Sequence, residues 1–359
     1  MRLFVDCRYV RTTVHDGISR YTASLVQAAA PYAEVTMLIS DPAQLNLLPA
    51  LPWLRISSPT GPREPLVARQ INPHQPDVVF SPMQTMGSIG KKYPLILTLH
   101  DLIYYQHRTP PRNLPAPVRA GWRIFHFSYL PQRLLLNRAD AVATVSQTTK
   151  NLIAQHRLTT NEVHLIPNAP QPVQQPRPAD RPPKKDLVYM GSFMEYKNVE
   201  ALIRAVNQLP EYRLHLCSPV LSTRRAQLSG LAQRPGQLLW HRGISEQRYG
   251  ELLDSATALV TASKAEGYGL PVIEALSRGT PVVASDLPIF REVAGRAAEA
   301  QAVQFTDPDD DAGLAAAVRN LEDPGTFGRA SAAALNRAED YSWEDSAQRL
   351  VRLAESLLR

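Results

Sequence analysis

Residues 262–285 read ASKAEGYGLPVIEALSRGTPVVAS, directly after the apolar strand-like run Ala258–Thr261. A strand that runs into a glycine-containing loop and then a short helix is an arrangement that can hold an anion. Gly267 and Gly269 let the backbone come close to a ligand. Pro271 sits where a helix can begin, because proline is tolerated at the first helical position. The N–H groups of the first turn then face outward as an anion site that suits a diphosphate. Glu274 is expected in that first turn, where a carboxylate can accept two hydroxyl donors such as those of a ribose. Glu266 lies on the loop ahead of the helix, within reach of a sugar.

Outward from this segment, apolar runs and helical patterns alternate in two series. The first has strand-like runs at Leu3–Val5, Val35–Ile39, Val78–Phe80, Leu95–Leu99 and Ala141–Val145, with a helical pattern at Ser19–Ala30. The second has runs at Leu187–Met190, Leu214–Cys217, Ala258–Thr261 and Pro281–Ala284, with helical patterns at Val199–Gln208 and Ile273–Ser277. Such alternation predicts parallel, doubly wound α/β sheets, and two series predict two Rossmann-like domains. Between them, Pro167–Pro183 is proline-rich with little that is apolar, the composition of a linker. The expected division is 1–170, a hinge at 171–183, a second domain at 184–340 and a terminal helix in 341–359, with Ser342 as its N-cap.

The 359 residues suffice for two cores. No apolar run reaches the ~18 residues that a membrane span needs, and Met1–Val10 carries Arg2, Asp6 and Arg8, which predicts a first strand and not a signal peptide. Cys7 and Cys217 are the only cysteines, which fits a reduced, cytoplasmic setting without a disulfide framework. Residues 1–170 hold 17 Lys and Arg against 9 Asp and Glu, whereas the remainder holds 22 against 24. A basic N-terminal half predicts an anionic partner for that half.

With these features in view, residues 262–285 resemble the donor-site signature of retaining GT-B glycosyltransferases of family 4, with two glutamates separated by seven residues. Further matches cover most of the chain: Gly17–Tyr21, Thr98–Leu102, Thr144–Ser146, Ile166–Asn168, Val188–Asn198 and Tyr341–Glu344. The resemblance implies two domains facing across a cleft, with the C-terminal helix crossing back to the N-terminal domain. It also implies transfer of a hexose from a nucleotide sugar to a hydroxyl of a glycan or lipid-linked acceptor. In this reading Lys197 holds the donor diphosphate, Glu274 the ribose and Glu266 the sugar. Tyr268, Gly269 and Leu270 line the sugar and phosphate, Gly17 approaches the phosphates, His100 contacts the sugar and Ile244 lies against the base. Glu266, His100 and Lys197 are the implied catalytic residues. Two positions depart from the pattern. Ser192 stands where the family often has an arginine, leaving one charge fewer on the phosphates, and Ala169 stands where a glycine is usual.

No protein cofactor is implied, and transfer is expected to be metal-independent: the acidic run Asp307–Asp311 precedes a helical pattern and is better explained by capping. The Thr98–Leu102 and Lys197–Asn198 segments look most like envelope or O-antigen mannosyltransferases, which points to GDP-mannose; UDP-sugars are the alternative. An inactive scaffold subunit, a sugar-binding receptor and a GT-B epimerase or phosphorylase are the competing readings. Between Asp101 and Asp140 there is no acidic residue. The segment 104–138 is basic and aromatic, which suits an anionic membrane surface, a lipid-diphosphate acceptor or a growing glycan. It suits equally an ordinary helix packed by its aromatics, with arginines in water. Nucleic acid is not expected, because no nucleic-acid motif accompanies the charge.

Overall fold

The computed structural model describes residues 1–110, 116–173, 175–177 and 183–359. They form two units: residues 1–168 together with 342–359, and residues 169–341.

The first unit is built on a seven-stranded sheet in the order β3-β2-β1-β4-β5-β6-β7, parallel throughout. Its strands are β1 Arg2–Asp6, β2 Glu34–Ile39, β3 Trp53–Arg55, β4 Val78–Ser81, β5 Leu95–Leu99, β6 Ala141–Thr144 and β7 Val163–Leu165. β4, β5 and β6 are buried along their whole length, as a parallel sheet covered on both faces requires. The two strands that the sequence patterns did not mark, β3 and β7, are the sheet edges; each has three residues and neither is fully buried.

The helix Gly17–Ala29 starts two residues ahead of the apolar pattern, because the Asp16 side chain caps it by accepting from the Ser19 amide at 2.9 Å. The last helix, Trp343–Ser356, is capped by Ser342 as expected. It packs on Gly17–Ala29 with Trp343 edge-on to Tyr21, ring centres 5.9 Å apart, and the Ser346 hydroxyl donates to the Pro167 carbonyl at 2.8 Å.

Sheet order reverses between β1 and β4, and the loops leaving that point are tied by a buried ion network. Arg8, Asp6 and Glu64 meet there: Arg8 Nε donates to Asp6 Oδ1 at 2.8 Å and Nη2 donates to Asp6 Oδ2 at 3.0 Å and to Glu64 Oε1 at 2.9 Å. Ser81 Oγ and the Gly87 amide complete the two carboxylates. Burial alone would lower the Arg8 pKa, but the adjacent Asp6 and Glu64 outweigh it and hold the guanidinium firmly charged. Burial also raises the Glu64 pKa in spite of Arg8.

The second unit carries a six-stranded parallel sheet in the order β10-β9-β8-β11-β12-β13. Its strands are β8 Lys184–Tyr189, β9 Arg213–Leu216, β10 Leu238–Trp240, β11 Ala256–Thr261, β12 Val282–Ser285 and β13 Val303–Thr306. The edge strands β10 and β13 again lack a long apolar run. The core gathers Leu187, Tyr189, Leu202, Leu214, Val260, Val283 and Val318 against the helices Val199–Asn207 and Asp311–Asn320.

Within the proline-rich segment one described residue is firmly held. Arg177 is buried: its Nη1 donates to the Ala256 carbonyl at 2.8 Å and its guanidinium lies 4.8 Å from the Phe327 ring centre. Arg177 therefore anchors this part of the segment on the second unit. Pro178 and Pro182 lie outside the described residues. Cys7 and Cys217 are both buried and unpaired by disulfide.

Removing Arg8 leaves two carboxylates buried without their cation. Arg8→Met is predicted to destabilise the protein by about 3–5 kcal/mol, whereas Arg11→Met, at a pair exposed on both sides, costs under about 1 kcal/mol. Urea unfolding followed by circular dichroism checks both.

Candidate active site

In the second unit, β9 and β10 lie on one side of β8, and β11 to β13 lie on the other. The loops leaving β8 and β11 therefore part from the same point of the sheet, where ligands settle in open α/β folds. The loop after β8 carries Ser192 and Lys197, and the loop after β11 carries Glu266 to Gly269. Lys197 closes a short 3-10 turn, Glu195–Lys197, and Asn198 follows in the left-handed region with φ +49° before the helix Val199–Asn207.

Lys197 and Glu266 meet directly. Lys197 Nζ donates to Glu266 Oε1 at 2.6 Å, with side chains only 13% and 15% exposed. Ser263 Oγ donates to the same oxygen at 3.0 Å. The two loops are also joined by their backbones, Lys264 N donating to the Tyr196 carbonyl at 2.7 Å. A third loop braces them: Asn198 Nδ2 donates to the Pro308 carbonyl at 2.6 Å, and Lys264 Nζ pairs with Asp309 at 2.7 Å. A cation at a helix start needs an anion, and here that anion is Glu266.

The segment 266–274 differs from its sequence reading in detail. The helix is Leu270–Leu276, so Pro271 is its second residue and Glu274 falls in the second turn instead of the first. The reason is Gly269, which takes φ +88° as the N-cap; a Cβ there would come within 2.7 Å of the Phe290 ring. Gly267 has no left-handed φ, so of the two loop glycines only Gly269 needs to be glycine for its backbone. Pro271 has no N–H and Val272 N donates to the Gly269 carbonyl. Pro271 and Val272 therefore offer no amide to an anion. Tyr268 is buried, and Glu274 is half-buried on the helix.

Ser192 is exposed, and its carbonyl accepts from the Tyr189 hydroxyl at 2.6 Å. The nearby cation is Arg224, which the sequence reading did not single out. Its Nε donates to the Phe193 carbonyl at 3.2 Å and its Nη1 pairs with Glu200 at 2.7 Å.

Ile244 is half-buried on the loop after β10, behind Arg242 at φ +56° and Gly243 at φ +97°. Arg242 also lines a cavity of about 490 Å³ with Val220, Ser222 and Arg225, beyond the ends of β9 and β10. A cavity of about 630 Å³, lined by Asp186, Arg213, His215 and His241, contains none of the residues singled out from sequence.

Gly17 and His100 lie in the first unit, His100 directly after β5 and Gly17 separated from the end of β1 by the ten residues 7–16. Gly17 is the exposed first residue of its helix and does not take a left-handed φ. His100 Nε2 lies 2.7 Å from the Pro82 carbonyl, so Nε2 carries the proton and Nδ1 is the acceptor. Tyr21 stands edge-on to it at 5.1 Å, and burial pushes its pKa below the ordinary value.

The acidic run is accounted for within the fold. Asp310 caps the helix Asp311–Asn320 by accepting from the Gly313 amide, Asp309 pairs with Lys264 and Asp311 pairs with Arg204. Among the described residues no three His, Cys, Asp or Glu side chains are gathered as a metal site, and no helix is long and apolar enough to cross a membrane.

Two family models match adjoining parts of the chain: Glycosyltransferase Family 4 over residues 15–170 and Glycosyl transferases group 1 over residues 171–335. O-antigen chain mannosyltransferase B of Escherichia coli is 31% identical over 166 residues, 44% of this chain and 42% of the relative. The chain thus spans under half the length of that relative. D-inositol 3-phosphate glycosyltransferase 1 of Catenulispora acidiphila is 26% identical over 370 aligned positions, 92% of this chain and 85% of the relative. Among solved structures, Anabaena HepE in complex with UDP and glucose has a TM-score of 0.73 at 18% identity and covers 99% of this chain and 100% of its own. The fold is GT-B, with two Rossmann-like domains.

His100 gives a pH signature. Its folded pKa is depressed, so as pH falls below about 6.5 the unfolded chain binds a proton that the folded chain refuses, and stability is lost. His126, His164 and His241 are depressed too, with burial the first cause in each. The melting temperature is predicted to fall from pH 7.5 to pH 5, and to fall less steeply in His100→Gln. Scanning fluorimetry across that range checks it.

Proposed function

We propose that this chain, which belongs to glycosyltransferase family 4, is a retaining hexosyltransferase whose donor is held by the loops after β8 and β11. The observation that carries the reading is the 2.6 Å pair between Lys197 and Glu266, which joins two residues that the family signature assigns to one donor. An ammonium has three N–H donors; with one on Glu266, two remain for diphosphate oxygens. The amides of Gly269 and Leu270, at the helix start, add dipoles to the same anion. Glu266 keeps its second oxygen for a sugar hydroxyl, Glu274 takes the ribose, and Ile244 with Arg242 and the adjacent cavity takes the base. The first unit takes the acceptor, and His100 Nδ1 accepts from a hydroxyl there.

The chemistry proposed is departure of the diphosphate with its developing charge stabilised by Lys197 and the loop amides. The acceptor hydroxyl then attacks from the face that the leaving group vacates, and a donor phosphate oxygen takes its proton. No protein nucleophile and no metal is required. The donor we favour is GDP-mannose, supported by the O-antigen mannosyltransferase relative, with a UDP-sugar as the second reading, supported by the HepE complex with UDP and glucose. The acceptor class is a glycan or lipid-linked hydroxyl in cell-envelope polysaccharide or glycolipid synthesis, in a cytoplasmic setting.

Thermal shift against GDP- and UDP-sugars identifies the donor, since the ligand that binds the folded state raises its melting temperature. With that donor, Lys197→Ala and Glu266→Gln are expected to lower kcat by about 100-fold or more, and product NMR is expected to give the donor's anomeric configuration. An inverted linkage refutes the retaining mechanism. Activity lost in EDTA and restored by a divalent ion refutes metal independence.

A further inference from the structure

Tyr104, Tyr105, Trp122 and Tyr129 of the segment 104–138 pack on one another and on nearby histidines. Trp122 packs edge-on to Tyr104 at 5.1 Å and lies against His126 at 4.1 Å, Tyr105 lies against Tyr129 at 4.3 Å, and Tyr129 stacks on His156 at 4.6 Å. An ordinary surface helix fastened in this way presents polar side chains to water. This one does not. On the helix Ala116–Phe125, its following turn and the helix Leu130–Leu136, the outward row is Ile124, Phe127, Leu130 and Leu134, exposed by 74%, 77%, 59% and 55%. Leu130 and Leu134, four residues apart, share one side of their helix, and Ile124 and Phe127 stand exposed at the end of the preceding helix and on the turn that follows it.

Every Lys, Arg, Asp or Glu position from 102 to 139 is an arginine. Arg123, Arg133 and Arg138 are exposed beside it, and no carboxylate occurs between Asp101 and Asp140. Arg133 holds its place by donating to the His156 carbonyl at 2.8 Å. Arg112 lies outside the described residues. Large apolar side chains standing in water carry a hydration cost that burial relieves. A surface that combines an apolar row with cations alone is complementary to acyl chains beneath anionic headgroups, with arginine stems lying along the apolar layer and guanidiniums among the phosphates. A protein partner would have to supply both an apolar groove and an acidic rim matched to the row.

We infer that Ile124, Phe127, Leu130 and Leu134, flanked by Arg123, Arg133 and Arg138, dock the first unit on a bilayer containing anionic lipid. This surface is independent of the donor chemistry, and docking is read without any donor present.

The test is co-sedimentation of the full chain with vesicles of phosphatidylcholine alone and of phosphatidylcholine with phosphatidylglycerol, at low and high salt. The expected result is binding to the phosphatidylglycerol vesicles that weakens as salt rises. The double variant Ile124→Glu, Phe127→Glu is expected to lose at least about tenfold in partitioning, and Arg123→Gln severalfold, with Arg123→Lys close to wild type. All these positions are exposed, so melting temperatures should match wild type; if the double variant unfolds, Leu134→Ser and Arg123→Gln provide the same reading. Failure of the wild type to bind anionic vesicles overturns the inference, as does binding by the double variant at wild-type strength. A wild type that sediments as a dimer, becomes monomeric in the double variant and ignores vesicles would make this face a contact between two copies, which also overturns it.

Discussion

In the second unit the chain lays β9 and β10 on one side of β8 and returns to lay β11, β12 and β13 on the other. The backbones leaving β8 and β11 must therefore diverge, and the crevice between them is a consequence of strand order and not of any side chain. What the side chains decide is how that crevice is furnished. Lys197 and Glu266 lie 69 positions apart in sequence yet share a hydrogen bond of 2.6 Å, braced by a backbone link from Lys264 to Tyr196 and by the loop at Asp309. A lysine held by a carboxylate and a neighbouring backbone link is preorganised for an anion, because little side-chain freedom is left to lose on binding.

The first unit repeats the same topological device and furnishes it differently. Order reverses between β1 and β4, but the charges at that point are buried and mutually satisfied by the Arg8 bridge between Asp6 and Glu64. Such a network fixes the loops after β1 and β4 without offering a charge to a ligand. The two units thus use ionic groups for different ends: permanent internal pairing in the first, and a pair with unused donors in the second.

Much of this was legible in the sequence, for physical reasons. Central parallel strands are buried on both faces, so β1, β2, β4, β5, β6, β8, β9, β11 and β12 appear as apolar runs. The edge strands β3, β7, β10 and β13 bury less and leave no such trace. Residues 262–285 declared a strand, a loop and a helix, but the helix start depended on Gly269 taking a left-handed φ, which moved Glu274 into the second turn. Proline content alone marked 167–183 as linker, and it could not show that Arg177 would find the Ala256 carbonyl and the Phe327 ring. The partners of Arg8 and Lys197 were illegible because each ion pair is made by loops brought together only when the sheet forms. Nor did composition distinguish which side of 104–138 faces outward. Its packed aromatics and its exposed apolar residues, Phe127 among them, are interleaved in sequence and separate only on the folded chain.

The claim at the centre of this account is that Lys197, held by Glu266, grips a nucleoside diphosphate. Isothermal titration of the full chain with GDP and with UDP, in wild type and in Lys197→Ala, tests it most directly. The account predicts that the wild type binds one of the two, that Lys197→Ala weakens this binding by at least about tenfold, as loss of a charge-assisted bond implies, and that the variant's melting temperature without ligand stays near that of the wild type. Equal affinity in the two proteins would contradict it.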